Sequence, residues 1–192
     1  RRASSRPLDK APNSPKMERM KNIPRVIESR VRQALERQKS VLLLGPRQTG
    51  KTTLIETLEP ELLLNFLRPD VRQRYERTPQ LLGAEVEALA ERARGRKPLV
   101  VLDEVQRVPE LVNVAQDLID RRLARFVLTG SSARKLRRGT DVNLLPGRLL
   151  PLRLDPLSLA ERVPPTLEQA LLYGSLPGIA LAEDDKAREA DL

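Results

Sequence analysis

The stretch Gly45-Pro46-Arg47-Gln48-Thr49-Gly50-Lys51-Thr52 reads G-x-x-x-x-G-K-T. It is preceded by an apolar run, Val41-Leu42-Leu43-Leu44, and followed by Thr53-Leu54-Ile55-Glu56-Thr57-Leu58, which holds no helix breaker. A buried strand, a glycine loop and a helix in that order make a phosphate-binding loop. The pattern constrains the fold, because a strand must deliver the loop and a helix must leave it. Gly45 and Gly50 are expected to supply backbone angles closed to other residues. Successive N–H groups then curl into an anion-binding nest, helped by the positive end of the helix dipole. Lys51 is placed to reach the β- and γ-phosphates of a nucleotide, and the Thr52 hydroxyl to ligate Mg²⁺. The expected nucleotide contacts are Gly45, Pro46, Arg47, Gln48, Thr49, Gly50, Lys51, Thr52 and Thr53. A glycine turn with a surface lysine is the plain alternative, and the flanking strand and helix argue against it.

The rest of the chain repeats the alternation. Ile27, Val31, Ala34 and Leu35 recur at helical spacing after Pro24. A second strand is expected at 62–67, and one or two helical turns within 70–79. Val86, Leu89, Ala90 and Ala93 mark a helix closed by Gly95. Leu99-Val100-Val101-Leu102 is apolar on both faces, as a central strand must be. Pro109 opens a helix with Leu111, Ala115, Leu118 and Ile119 on one face. Strands are expected again at 126–129 and 149–154, a short basic helix at 132–138, and a last helix at 166–173 broken by Gly174, Pro177 and Gly178. Strands alternating with helices predict an α/β fold, a parallel sheet with helices on both faces. In such sheets ligands bind beyond the carboxyl ends of the strands. The loop at 45–52, Asp103-Glu104 and Gly130-Ser131-Ser132 all fall at such ends.

Composition excludes several chemistries. The 192 residues include no cysteine and no histidine. Disulfides, thiolate metal sites and histidine general bases are therefore absent. No apolar stretch reaches the length of a membrane span, and a cytoplasmic location is expected. The net charge is +9, of which +4 lies in residues 1–16, and arginine outnumbers lysine 27 to 8. A nucleic-acid partner fits this charge; a general arginine bias explains it more simply. Residues 1–16 are rich in Arg, Ser and Pro without apolar period and read as disordered. The expected organisation is a basic extension at 1–19, a nucleotide-binding domain at 20–163 and a short helical segment at 164–192.

Two further groups carry chemistry. Val100-Val101-Leu102-Asp103-Glu104 resembles a Walker B motif. Asp103 would hold Mg²⁺ largely through water, while Glu104 polarises the attacking water. The plain alternative is a pair of surface acids opening a loop. Neither D-x-x-G at this place nor N-K-x-D anywhere is found, which favours ATP over GTP. Ser131 and Ser132 can contact the attacking water or cap a helix, and Thr129 is the less favoured contact. Among the arginines, Arg148 is the first candidate to stabilise charge on the transferring phosphoryl group, with Arg134 second. The basic run 134–138 reads as a solvated helix face before it reads as a nucleic-acid contact. The catalytic set is thus Lys51, Glu104, Ser131 and Arg148, and the metal set Thr52 and Asp103.

Taken together, Ile23-Pro24-Arg25, the loop at 45–52, Leu102-Asp103-Glu104-Val105-Gln106, Leu128-Thr129-Gly130-Ser131-Ser132 and Leu145-Pro146-Gly147-Arg148 resemble the prokaryotic AAA-like P-loop ATPases related to the AAA+ and STAND branches. Leu154 to Glu161 and Tyr173-Gly174-Ser175-Leu176-Pro177-Gly178 extend that resemblance to about residue 180. It implies a P-loop NTPase fold with sheet order 5-1-4-3-2, ATP and Mg²⁺ as ligands, and a following C-terminal domain. Relatives usually run longer, so the chain is expected to be a truncated product or an isolated ATPase domain. A protein partner or that missing domain is the expected recipient of ATP-driven change. The competing functions are an ATP-binding switch with little or no hydrolysis, a DNA-associated ATPase, and a small-molecule P-loop kinase, which the acidic pair disfavours. Oligomeric state is left open.

Overall fold

The apolar runs become five parallel strands in the computed structural model, which describes residues 23–131, 147–162, 166, 171–172 and 174–181. These are β1 (Ser40–Leu44), β2 (Leu62–Asn65), β3 (Leu99–Asp103), β4 (Arg125–Gly130) and β5 (Leu149–Arg153). They form one sheet in the order β2-β3-β4-β1-β5. Read from the other edge this is 5-1-4-3-2, the order implied by the family resemblance. All pairings are parallel, with Leu42 opposite Leu128 and Pro151, and Leu64 opposite Leu102. Pro151 has no N–H to give, which an edge strand tolerates.

Side chains alternate along each strand, so each face collects its own core. On one face Leu42, Val100, Leu102, Phe126 and Leu128 meet α3 (Pro69–Arg77), α4 (Leu81–Arg92) and α5 (Glu110–Asp120). On the other, Val41, Leu43, Val101 and Val127 meet α1 (Val26–Glu36) and α2 (Lys51–Glu56). The aromatics are few but well used: Tyr75 of α3 meets Phe66 edge to face at 6.0 Å within the first of these cores. Buried aliphatics supply nearly all the rest of both cores.

Some boundaries differ from expectation for local reasons. β2 ends at Asn65 because its Oδ1 accepts the Leu67 N–H at 2.9 Å and turns the chain. The helix after the loop begins at Lys51, so Lys51 and Thr52 lie in its first turn. Pro177 starts a short helix, α6 (Pro177–Leu181), where a break was expected; proline suits a first helical turn. The expected basic helix at 132–138, the extension at 1–19, Ser132 and Arg134 lie outside the described residues. Among the described residues no helix is long and apolar enough to cross a membrane.

Candidate functional site

In-register parallel strands bring their carboxyl ends to one edge: Leu44 is opposite Gly130 and Arg153, and Asn65 is opposite Asp103. The loop at 45–50, Asp103-Glu104 and Ser131 therefore share that edge. There the loop and Glu104 border a cavity of about 650 Å³, lined by Gly50, Lys51, Thr52, Glu104, Arg47 and Arg107 on its polar side. Ile23, Leu157, Leu176, Pro177 and Ile179 form its apolar side.

The loop is shaped by its neighbours. Gly50 sits at φ +88 and hands the chain to α2. Gly45 has an ordinary φ; it is needed for another reason. A Cβ there would lie 2.1 Å from the Leu154 carbonyl oxygen, where the chain leaves β5. The Thr49 hydroxyl donates to the Pro46 carbonyl at 2.9 Å and closes the loop on itself. Lys51, 6% exposed, donates to the carbonyls of Gly45 and Pro46 at 2.8 and 2.7 Å and lies 3.9 Å from Glu104. Burial pushes its ammonium below the usual lysine range; Glu104 and Asp103 oppose that, and Arg47 adds to it. An anion at the loop would replace the two carbonyls as the partner of this charge.

A hydrogen-bonded path joins the motifs. The Thr52 hydroxyl donates to Asp103 Oδ2 at 2.9 Å, and the Thr129 hydroxyl donates to Asp103 Oδ1. Thr129 also accepts the Glu104 N–H at 3.0 Å. Glu104 takes the left-handed conformation, φ 58, which swings its carboxylate away from Asp103 and toward Lys51. The Gln106 amide donates to Glu104 Oε2 at 2.5 Å and sits 3.5 Å from Ser131 Oγ, while Gln106 Oε1 is buried without a partner among the described residues. An acceptor is thus left for water beside the Glu104 carboxylate. Among the described residues no cluster of three or more acidic, His or Cys side chains could hold a metal. The donor set that exists, one hydroxyl and one carboxylate in contact, suits Mg²⁺, which keeps most of its water.

Lys51, Thr52, Asp103, Glu104 and Ser131 therefore come together, as expected from their places at the strand ends. Thr129 was the less favoured contact, yet it is fully buried and bonds both acids' strand end; its position as the last residue but one of β4 was the available signal. Arg148 is not brought to the site. It precedes β5, at the opposite edge of the sheet, and pairs with Asp120 at 2.5 Å. A role as an arginine acting within its own site is corrected on that ground. Arg107, half-buried on the turn after Glu104, lines the cavity instead, and no described side chain pairs with it. The stretches that suggested nucleic acid, 1–16 and 134–138, lie outside the described residues. Replacing Thr129 with Val should cost about 2 kcal/mol in urea unfolding, because the Glu104 N–H and an Asp103 oxygen lose their buried partner. Thr129→Ser, which keeps the hydroxyl, should stay close to wild type.

The fold and this site together define a P-loop nucleotide-binding domain of the AAA class. The family model for the AAA domain matches residues 37–163, and the chain belongs to that family of ATP-binding P-loop ATPases. It is 34% identical over 154 residues to uncharacterized proteins of Mycobacterium tuberculosis and Mycobacterium bovis, covering 78% of this chain and 32% of theirs. The chain thus spans about a third of the length of those curated relatives. Among solved structures it is similar to a Walker-type ATPase of Pyrococcus abyssi, with TM-score 0.58 and 19% identity, over 88% of this chain and 68% of the other. That likeness concerns the fold.

Proposed function

We propose that the chain binds ATP with Mg²⁺ at this cavity and hydrolyses it. The observation that carries the reading is the unbroken path Thr52–Asp103–Thr129–Glu104, which joins α2, β3 and β4 at one cavity. The cavity volume falls within the usual range for small-molecule sites. Its apolar side suits a nucleobase and its cationic side the phosphates. The loop N–H groups and Lys51 hold the β- and γ-phosphates, Lys51 exchanging its carbonyl partners for phosphate oxygens. Thr52 and Asp103 hold the metal, which when bound neutralises charge on those phosphates. Glu104 takes a proton from water as the water oxygen attacks the γ-phosphorus. The bond from that phosphorus to the bridging oxygen breaks, and ADP departs with the electron pair. Ser131 and Gln106 orient the water beside Glu104, and Arg107 lies where it can meet charge on the phosphoryl group. The energy released is expected to act on a protein partner or a further region of a longer protein.

Steady-state phosphate release from the purified chain with ATP and Mg²⁺ tests this. Turnover no higher than that of a Lys51→Ala variant would overturn hydrolysis and leave the switch reading. In the same assay Arg107→Ala should lower kcat by a factor on the order of 10², the usual loss for one donor to a developing oxyanion. Its ADP affinity should change little.

A further inference from the structure

Arg25 lies just before α1, far in sequence from the site, yet its guanidinium is spent on it. Nη1 donates to the Thr49 carbonyl in the loop at 2.5 Å, and Nη2 donates to the Asp155 carbonyl beyond β5 at 2.6 Å. Nε donates to Glu161 Oε1 at 3.0 Å. Both side chains are buried, at 8% and 6% exposure. Glu161 is itself fully occupied: Oε1 also accepts the Val26 N–H at 2.9 Å, and Oε2 accepts the Ser158 N–H and hydroxyl at 2.9 and 3.1 Å. Burial alone would raise the Glu161 carboxyl, but Arg25 and the Ser158 and Val26 N–H groups hold it at about 2. It is therefore charged at any working pH.

A buried ion pair of this kind is a poor device for stability alone, since desolvation offsets most of the attraction. Its geometry suggests another use. A planar fork has bonds in three directions, which an ammonium cannot copy. One of those directions fixes the peptide between Thr49 and Gly50. In a trans peptide the carbonyl and the next N–H point opposite ways. Pinning the Thr49 carbonyl to Arg25 therefore aims the Gly50 N–H away from Arg25 and holds Gly50, at φ +88, in place where the loop enters α2. The other two directions run to residues 155 and 161, so the loop's anchor is seated on the segment that follows β5.

We propose that Arg25 is a positioning residue for the phosphate-binding loop, and that Glu161 seats it so that the segment 154–161 sets the loop's affinity for nucleotide. This rests on the reading of 45–52 as the phosphate site. Coupling is reciprocal: nucleotide on the loop must also steady the segment. The arrangement gives any motion of the chain beyond Arg153 a direct mechanical route to the phosphates.

The test measures ADP binding by calorimetry and amide exchange by mass spectrometry. Arg25→Lys should weaken ADP by roughly tenfold, within the usual range for coupled sites. Glu161→Gln should weaken it in the same direction, and the double variant should be no worse than Arg25→Lys alone, as expected for residues acting as one unit. Val86→Ala, a core truncation in α4, should lower the melting temperature without changing ADP affinity. ADP should slow amide exchange at 154–161 in the wild type and fail to do so in Glu161→Gln. Affinity within about twofold of wild type in both Arg25→Lys and Glu161→Gln would overturn the positioning role. Unchanged exchange at 154–161 in the wild type would overturn the coupling. Lys51→Ala separates the two readings: if it too binds ADP normally, the phosphate site itself is misplaced, whatever Arg25 does.

Discussion

Glu104→Gln should bind ATP about as well as the wild type and release phosphate ~10²–10⁴ times more slowly, the span that a positioned general base contributes. The expectation follows from what the substitution spares. Glu104 is held by its backbone, whose N–H reaches Thr129, and by Oε2, which accepts from Gln106. A glutamine oxygen accepts equally well, so the side chain keeps its place. What disappears is the negative charge 3.9 Å from Lys51 and the capacity to take a proton. Losing that charge removes a repulsion toward the γ-phosphate, so ATP affinity should hold or rise slightly. Single-turnover phosphate release measured beside ATP calorimetry reads both quantities. Undiminished release in this variant would remove Glu104 from the reaction and leave Asp103 as the acid to examine.

The features that could be read early were those written in short runs of residues. Four apolar residues before a glycine loop, or before an acidic pair, mark both a buried strand and the edge on which it ends. Parallel pairing then does the rest, because it brings every such end to the same side. What could not be read depends on residues distant in the chain. Arg25 and Glu161 meet across 136 positions, and no periodicity announces their contact. Arginines were also poor guides. With 27 of them, composition cannot favour one, and Arg148 was preferred by its motif although its place before β5 puts it on the far edge. Nothing in the run Phe126-Val127-Leu128-Thr129 marks Thr129 as more than strand packing, whereas its hydroxyl bridges both members of the acidic strand end. Gly45 was read for its backbone freedom. The structure assigns it a different necessity.

That necessity predicts opposite outcomes for one chemical change at two glycines. At Gly45 an added methyl would meet the Leu154 carbonyl oxygen at 2.1 Å, and neither side can yield easily. The Gly45 N–H is bonded to the Gly130 carbonyl at 3.2 Å, and the Leu154 N–H to the Leu44 carbonyl at 2.7 Å. The obstacle is backbone in a sheet, not the end of a flexible side chain. Relief requires moving the loop off β4 or peeling the exit of β5 off β1. The latter also drags Asp155, which holds Arg25. Gly45→Ala should therefore destabilise by about 3 kcal/mol or more, at the upper end of overpacking costs, and should lose nucleotide affinity with it. Gly83 lies inside α4 with nothing within 4 Å of an added Cβ. There the methyl restricts only the unfolded chain, and Gly83→Ala should stabilise by about 0.5–1 kcal/mol. Paired urea unfolding curves decide the matter. Equal and small effects at both positions would mean that β5 does not press on the loop, and the close approach that shapes the phosphate site would have to be abandoned.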